Sequence, residues 1–326
     1  MIKRIGCLFA AALAVGALAG ATADEVAAFP TKRITIVVPF PAGAGPDVVA
    51  RLLGDEIAKT LGQAVVIENR PGASGLVGAG AVVRADADGH TLLLTPNTLF
   101  IAPHVLKSTQ GQVDVVNDLQ AIIMPSQTAM VMVANPKLGL KTAKDFAEMA
   151  RTKPDMTYAS SGNGSVLHIA GELFNEAAKL SVRHVAYRGI APAVNDVIAG
   201  HVNVTFSGIG PIRQHLSAGT LVALALVEAK RSPALPELPT AIEQGLPDVA
   251  VDGWYSVLAP KATPAANIAL LNKEMNAILA TPDVKARIEK MGEIVLGGTP
   301  EVAGARIKAD YERYGALVKK LNIQAE

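Results

Sequence analysis

The chain has 326 residues, 50% hydrophobic and only 18% charged, which is long enough to bury a large core and too apolar for a disordered chain. Thirty Lys and Arg stand against 29 Asp and Glu, for a formal net charge of +1, and aromatics are limited to one Trp, five Tyr and seven Phe. Neither a broad basic field nor a stacking platform is available, so no nucleic-acid partner is expected.

Lys3 and Arg4 precede an apolar run from Cys7 to Ala19, and Ala21-Thr22-Ala23 supplies an A-x-A site before Asp24. Residues 1–23 read as a secretory signal peptide, cleaved after Ala23, with the product exported to the periplasm. The run is shorter than the roughly 20 apolar residues of a spanning helix, so no membrane insertion is expected. Cys7 is the one cysteine and leaves with the signal, which excludes disulfides and thiolate chemistry.

From Arg33 onward, short β-branched runs alternate with helical stretches. Strands are predicted at Ile34–Val38, Ala64–Ile67 and Thr91–Thr95, with helices at Asp47–Leu61 and Gly75–Arg84. A second set follows: strands at Ala129–Ala134, Met156–Ala159, Val182–Tyr187, Val202–Ser207 and Leu221–Val227, and helices at Thr142–Arg151, Ser165–Ala178 and Ala191–Ala199. The alternation predicts parallel βαβ units, and the nearly all-apolar strands predict sheets covered on both faces. Two such sets mean two lobes. Pro233, Pro236, Pro239 and Gly245 mark an irregular segment passing between them, followed by a strand at Trp254–Ala259 and helices at Ala265–Leu279, Pro282–Met291 and Pro300–Lys320.

Two loops carry chemistry. Pro39-Phe40-Pro41-Ala42-Gly43-Ala44-Gly45-Pro46-Asp47 lies where the first strand meets the first helix, and its small residues expose N–H groups at the positive end of a helix dipole. The same stretch half-resembles a dinucleotide-binding G-x-G-x-x-G, but Val48 stands at the third glycine and Pro46 removes a donor. A plain βα turn is the ligand-free alternative. In the second set, Ser160-Ser161-Gly162-Asn163-Gly164-Ser165 again joins a strand to a helix, with hydroxyls and amides around a helix N-terminus. Its ligand-free alternative has Ser165 capping the helix while Ser160 and Ser161 satisfy the turn. Ser165 and His168 are three apart on a helix without a G-x-S-x-G elbow, a weak basis for a nucleophile and base. The six histidines show no paired-ligand spacing, so no metal is expected. Tyr187-Arg188-Gly189 and Phe206-Ser207-Gly208 end strands of the second set, where ligands of open α/β sheets bind; Arg188 pairs with an anion or is simply solvated.

These residues together resemble the periplasmic solute-binding receptors of tripartite tricarboxylate transporters, the Bug receptors. The likeness runs over essentially the whole mature chain: Pro39-Phe40-Pro41-Ala42-Gly43 with Asp47 and Arg51, Glu68-Asn69-Arg70-Pro71-Gly72-Ala73 with Gly75, Asp88-Gly89, Ser160-Ser161-Gly162 with Gly164-Ser165 and His168, Tyr187-Arg188-Gly189, and Leu235-Pro236-Glu237-Leu238-Pro239-Thr240 with Glu243, Gly245 and Trp254. The resemblance implies a two-lobed Venus-flytrap α/β protein, each lobe a mostly parallel sheet flanked by helices. Lobe 1 would comprise residues 24–125 plus 231–326, and lobe 2 residues 126–230. A small carboxylate would lie between Phe40, Ala42, Gly43 and Asp47 on one wall and Ser160, Ser161, Gly164, Ser165 and Tyr187 on the other, with His168 and Ser207 at its edges. Ala44 and Pro46 stand where the family usually has Gly or Thr, and Ala102-Pro103 where it usually has Asn-Pro, so the family's common substrates do not transfer directly.

The sequence therefore reads as an exported, non-enzymatic binding protein, a monomer without a cofactor. It is expected to deliver a small organic carboxylate (a di- or tricarboxylate, an aromatic acid or an amino acid) to the membrane components of a tripartite tricarboxylate-type transporter. The alternatives are a ligand sensor for a signalling receptor and a hydrolase using Ser165 and His168.

Overall fold

The structure, a computed structural model, describes residues 29–106 and 113–324; the expected signal segment and its Ala23 cleavage site lie outside the described residues. The chain begins β1 (Ile34–Val38), α1 (Gly45–Leu61), β2 (Val65–Asn69), α2 (Leu76–Val83), β3 (Thr91–Pro96), α3 (Thr98–Val105) and β4 (Leu119–Thr128). It continues through β5 (Met130–Ala134), α4 (Ala143–Thr152), β6 (Thr157–Ser160), α5 (Val166–Ala178), β7 (Arg183–Ala186), α6 (Ile190–Ala199), β8 (Val204–Gly208), α7 (Ile209–Ser217) and β9 (Val222–Leu226). Finally come β10 (Gly253–Pro260), α8 (Ala265–Ala280), α9 (Pro282–Lys290), β11 (Glu293–Gly297) and α10 (Pro300–Lys320).

The strands form two sheets, ordered β11-β4-β10-β3-β1-β2 and β7-β6-β8-β5-β9. In the first, β1 pairs in parallel with β2 and β3, while β10 runs antiparallel between β3 and β4 and β11 antiparallel to β4. In the second, β6 is parallel to β7 and β8, and β5 is antiparallel to both β8 and β9. Strands of one sense thus predominate in each sheet; the reversed ones are β10 and the edge strand β11 in the first and β5 in the second, and of these β5, directly after β4, and β10, after the irregular stretch, follow the points where the chain crosses.

Period-2 alternation fills the space on both faces. Ile34, Ile36 and Val38 pack with α1, α8 and α9, whereas Val37 and Leu93 pack with α2, α3 and α10. Met130, Met132 and Ala134 face α4 and α5, and Val131 and Val133 face α6 and α7. The stretch 231–251, expected with the first lobe, packs instead against the second sheet: Ala241, Leu246, Val249 and Val251 join one of its cores and Leu235 and Leu238 rest on the other. The reason is that it pairs with β9, through Ala241 N–H to Leu226 O at 2.7 Å and Leu226 N–H to Pro239 O at 3.0 Å. Helix α10 serves both sheets, with Ala303 and Ile307 in the core of the first and Tyr314 and Val318 in that of the second.

Candidate functional site

A cleft of about 280 Å³ opens between the two sheets. Its floor is formed where β3 ends (Pro96, Asn97), where β4 passes into β5 (Thr128, Met130) and where β10 begins (Gly253, Trp254, Tyr255). Its walls are helix beginnings: Gly45 and Pro46 of α1, Thr98 of α3, Val166 and Leu167 of α5, Ile190 and Ala191 of α6, and Gly208 with Pro211 at the start of α7. Five helix N-termini therefore meet at one place. First-turn N–H groups have no intrahelical acceptor and sit at the positive dipole end, so the cleft is electropositive without many cations. The single charged side chain in the lining is Arg188, and no carboxylate lines it. The walls also touch: Ser74 Oγ donates to Asn163 O at 2.8 Å, and Thr98 Oγ1 accepts from Val166 N at 3.5 Å.

Of the residues singled out on sequence, Phe40, Ala42, Gly43 and Ser161 line this cleft, and Arg188 does as well. Asp47 does not. It is 2% exposed, and its carboxylate accepts from Gly43 N (2.8 Å), from Arg51 Nε and Nη2 (3.0 Å each) and from Asn69 Nδ2 (2.9 Å). Burial works to raise its pKa, but hydrogen bonds from Arg51, Gly43 and Asn69 hold it below the usual carboxylate range. Gly43 adopts φ +79°, a left-handed conformation that a side chain would strain, and Asp47 clamps that turn.

The second-lobe loop spends most of its polar groups on itself. Ser160 Oγ lies 2.7 Å from His184 Nε2 and bonds Gly162; Ser165 Oγ caps α5 by accepting from His168 N at 3.2 Å; Gly164 N donates to His168 Nδ1 at 3.3 Å. Gly164 itself abuts Val105. Tyr187 donates to Asp196 at 2.5 Å and Ser207 to Gly208 O at 2.8 Å. Ser160, Gly164, Ser165, His168, Tyr187 and Ser207 accordingly lie off the cleft lining. Their hydroxyls and rings are bonded or stacked within the loop and against neighbouring elements. Ser165 and His168 meet as an N-cap, side chain to backbone, and not as a hydroxyl beside an imidazole. The His168 ring instead stacks on His184 at 3.9 Å, and burial pushes their pKa values down to about 3 and about 4, helped at His168 by the neighbouring His184.

Asn97, Thr98, Thr128 and Tyr255 were not identified from sequence. They come from strand ends without a glycine-rich loop to mark them, and β4 itself was missed. Beneath Thr128 and Tyr255 lies Glu293 of β11, 5% exposed, which accepts from Ser126 Oγ at 3.3 Å; burial raises its pKa to about 7 against the pull of the surrounding hydroxyls. Among the described residues no group of three His, Cys, Asp or Glu is placed to hold a metal ion, and no helix is long and apolar enough to cross a membrane.

Two helix-flanked mixed sheets around an electropositive cleft define the periplasmic binding-protein fold. Residues 49–323 match the family described as tripartite tricarboxylate transporter family receptor, and the chain belongs to that family of periplasmic solute-binding proteins. It is 32% identical over 321 residues to BugT of Bordetella pertussis, covering 98% of this chain and 97% of that one. It also superimposes on an R. palustris protein solved with adipate (TM-score 0.87, 29% identity, 91% of this chain and 100% of that chain). MatC from Rhodopseudomonas palustris with bound malate is similar too (TM-score 0.82, 30% identity, 89% and 100% covered). Family membership implies a periplasmic location, and the solved relatives include the periplasmic binding protein BugD (TM-score 0.84, 31% identity, 91% of this chain and 100% of that chain); the family is one of solute-binding proteins and not of enzymes.

Proposed function

We propose that this chain captures a small organic carboxylate in the cleft and delivers it to the membrane components of a tripartite tricarboxylate-type transporter. The observation that carries the reading is the convergence of five helix N-termini on a lining whose one charged side chain is the Arg188 guanidinium. Such a lining offers an anion preorganised N–H donors in place of its water, and Phe40, Met130 and Trp254 offer apolar surface to its carbon skeleton. Phe40, Ala42, Gly43 and Ser161 would contact the ligand, with Asp47 shaping the loop they stand on. The malate- and adipate-bound relatives favour a carboxylate over other anions.

The two sheets would act as lobes that close on the ligand, with hinges at 128–130 and 251–253, where the chain crosses. A monomer exported after cleavage behind Ala23 completes the reading, and the mass of the periplasmic form tests the cleavage. A thermal-shift screen of organic acids, followed by small-angle scattering, tests the rest. An acid that raises Tm should also reduce the radius of gyration, and its neutral amide should do neither. No response to any organic acid would remove the carboxylate; a rise in Tm at unchanged radius would remove the closure.

A further inference from the structure

The cleft is lined by apolar groups from both lobes: Phe40, Pro41 and Pro96 on one side and Ile190, Pro192 and Pro211 on the other, all partly or fully exposed. Most polar side chains of the lining are spent elsewhere. Asn97 Oδ1 and Thr128 Oγ1 are sealed from solvent, Thr98 Oγ1 accepts from Val166 N at 3.5 Å, Tyr255 bonds Glu293, and Trp254 Nε1–H goes to Asp310. Ser161 and Arg188 remain. The helix starts are thinned in the same sense. Pro46, Pro192 and Pro211 stand at the second or third position of α1, α6 and α7, helices without a capping side chain, and each ring puts carbon where an unpaired N–H would point at the cleft. Of the other first-turn donors, Ile209 N–H is taken by Ala129 O, Phe100 N–H by Asn97 O and His168 N–H by Ser165 Oγ. The start of α6 keeps the strongest anion site, because Arg188 there precedes the N–H groups of Ile190 and Ala191, which have no intrahelical acceptor. It faces the first loop closely: a side-chain carbon on Gly189 would lie 3.8 Å from Pro41.

Resting on the carboxylate reading above, we propose that the cleft prefers monocarboxylates with an uncharged, apolar body, aromatic or aliphatic, to di- and tricarboxylates, and that Pro192 and Pro211 set this preference by replacing N–H donors with ring carbon. One carboxylate is held at the start of α6 against the first loop. A second would give up its water against proline and phenylalanine rings with few donors to replace it, a cost that rises steeply for an ionised group. An apolar body is favoured by that same surface. An ammonium finds no carboxylate in the lining, which sets amino acids aside as well.

Calorimetry with pairs that share a skeleton tests this: hexanoate against adipate, 4-methylbenzoate against terephthalate, butyrate against succinate. In each pair that binds, the monocarboxylate should be the tighter by roughly ten- to hundredfold. A dicarboxylate that binds as tightly as its partner, or more tightly, overturns the proposal and leaves the carboxylate reading standing. The double variant Pro192→Ala, Pro211→Ala restores an N–H at each helix start, where alanine fits the backbone, and should cut the preference about tenfold by strengthening the dicarboxylate. If the two prolines only shape their helices, both members of a pair shift alike and the ratio stays, which overturns their assignment. Should that variant fail to fold, the wild-type ratios still decide the preference. Binding of no acid from any pair would strike the carboxylate reading itself, and this proposal with it.

Discussion

Asp47 Oδ2 accepts the Gly43 N–H at 2.8 Å, so the turn that walls the cleft is held by a carboxylate that does not line it. The other bonds to that carboxylate come from Arg51 and Asn69, and Asn69 also donates to Phe40 O at 3.1 Å. One buried charge thereby sets the loop from Phe40 to Gly43. Asp47→Ala should cost about 2 kcal/mol of stability, in the range for hydrogen bonds to a charged group. It should also weaken mono- and dicarboxylates by the same factor. Urea unfolding and calorimetry with a matched pair of acids check both; a change confined to dicarboxylates would place Asp47 against the ligand instead.

The two serines at either end of the second-lobe loop should separate cleanly. Ser165 caps α5, and Ser165→Ala should cost about 1 kcal/mol of stability with affinity nearly unchanged. Ser161 lines the cleft, and Ser161→Ala should weaken the ligand by about tenfold with stability kept. Denaturant midpoints and binding isotherms of the two variants report the contrast, and the reversed pattern would mean that the cap residue holds the ligand.

Trp254 is the one tryptophan of the chain, lines the cleft, and donates its Nε1–H to Asp310 Oδ2 at 2.6 Å. Ligand entry should therefore change the emission of a single, buried fluorophore. Saturable quenching or a wavelength shift that tracks the calorimetric isotherm is expected. Emission indifferent to a ligand that calorimetry sees would locate binding away from β10.

Glu293 gives a pH dependence of defined sign. Burial raises its folded pKa to about 7 from an unfolded value of 4.5, so the native state holds its proton more tightly. That contribution is complete below pH 4.5 and is lost as pH rises toward 7 and beyond, amounting to about 3 kcal/mol at the rate of about 1.4 kcal/mol per pKa unit. Glu293→Gln keeps the shape without the titration. The stability of this variant relative to wild type should rise between pH 4.5 and 7.5, measured by denaturant unfolding across that range. Taking the difference cancels the opposite trend from His168 and His184, whose lowered values cost stability as pH falls below 6.5.

Elements with a clear local signature were legible along the chain. The strand Ile34–Val38 and the helix Pro300–Lys320 come out as expected, because an unbroken β-branched run and a Thr-Pro start are local signals. α3, β4, α7 and β11 were missed. α3 carries Pro103 and is apolar nearly all round, so it shows no amphipathic period, and β4 contains Pro125 amid a buried run. Such segments become helix or strand through the neighbours that cover them.

The sequence by itself determined the α/β class, the two sets of βα units and the electropositive loop after β1, since these follow from periodicity and turn residues within a few positions. Tertiary structure decided which groups reach the cleft. Ser160, Ser165 and Tyr187 carry the right chemistry, but each is bonded to a partner in its own loop, the following helix or an adjoining strand and is absent from the cleft lining. Asn97 and Thr128 have no motif around them, and Trp254 stands out only through the family resemblance and as the start of an expected strand. They meet at the floor because β10 returns from far along the chain to lie between β3 and β4, pairing Tyr255 with Pro96 and Gly253 with Thr128. Hydrogen bonds are satisfied locally wherever a local partner exists, so the residues left to face a ligand are those whose neighbours long-range pairing supplies.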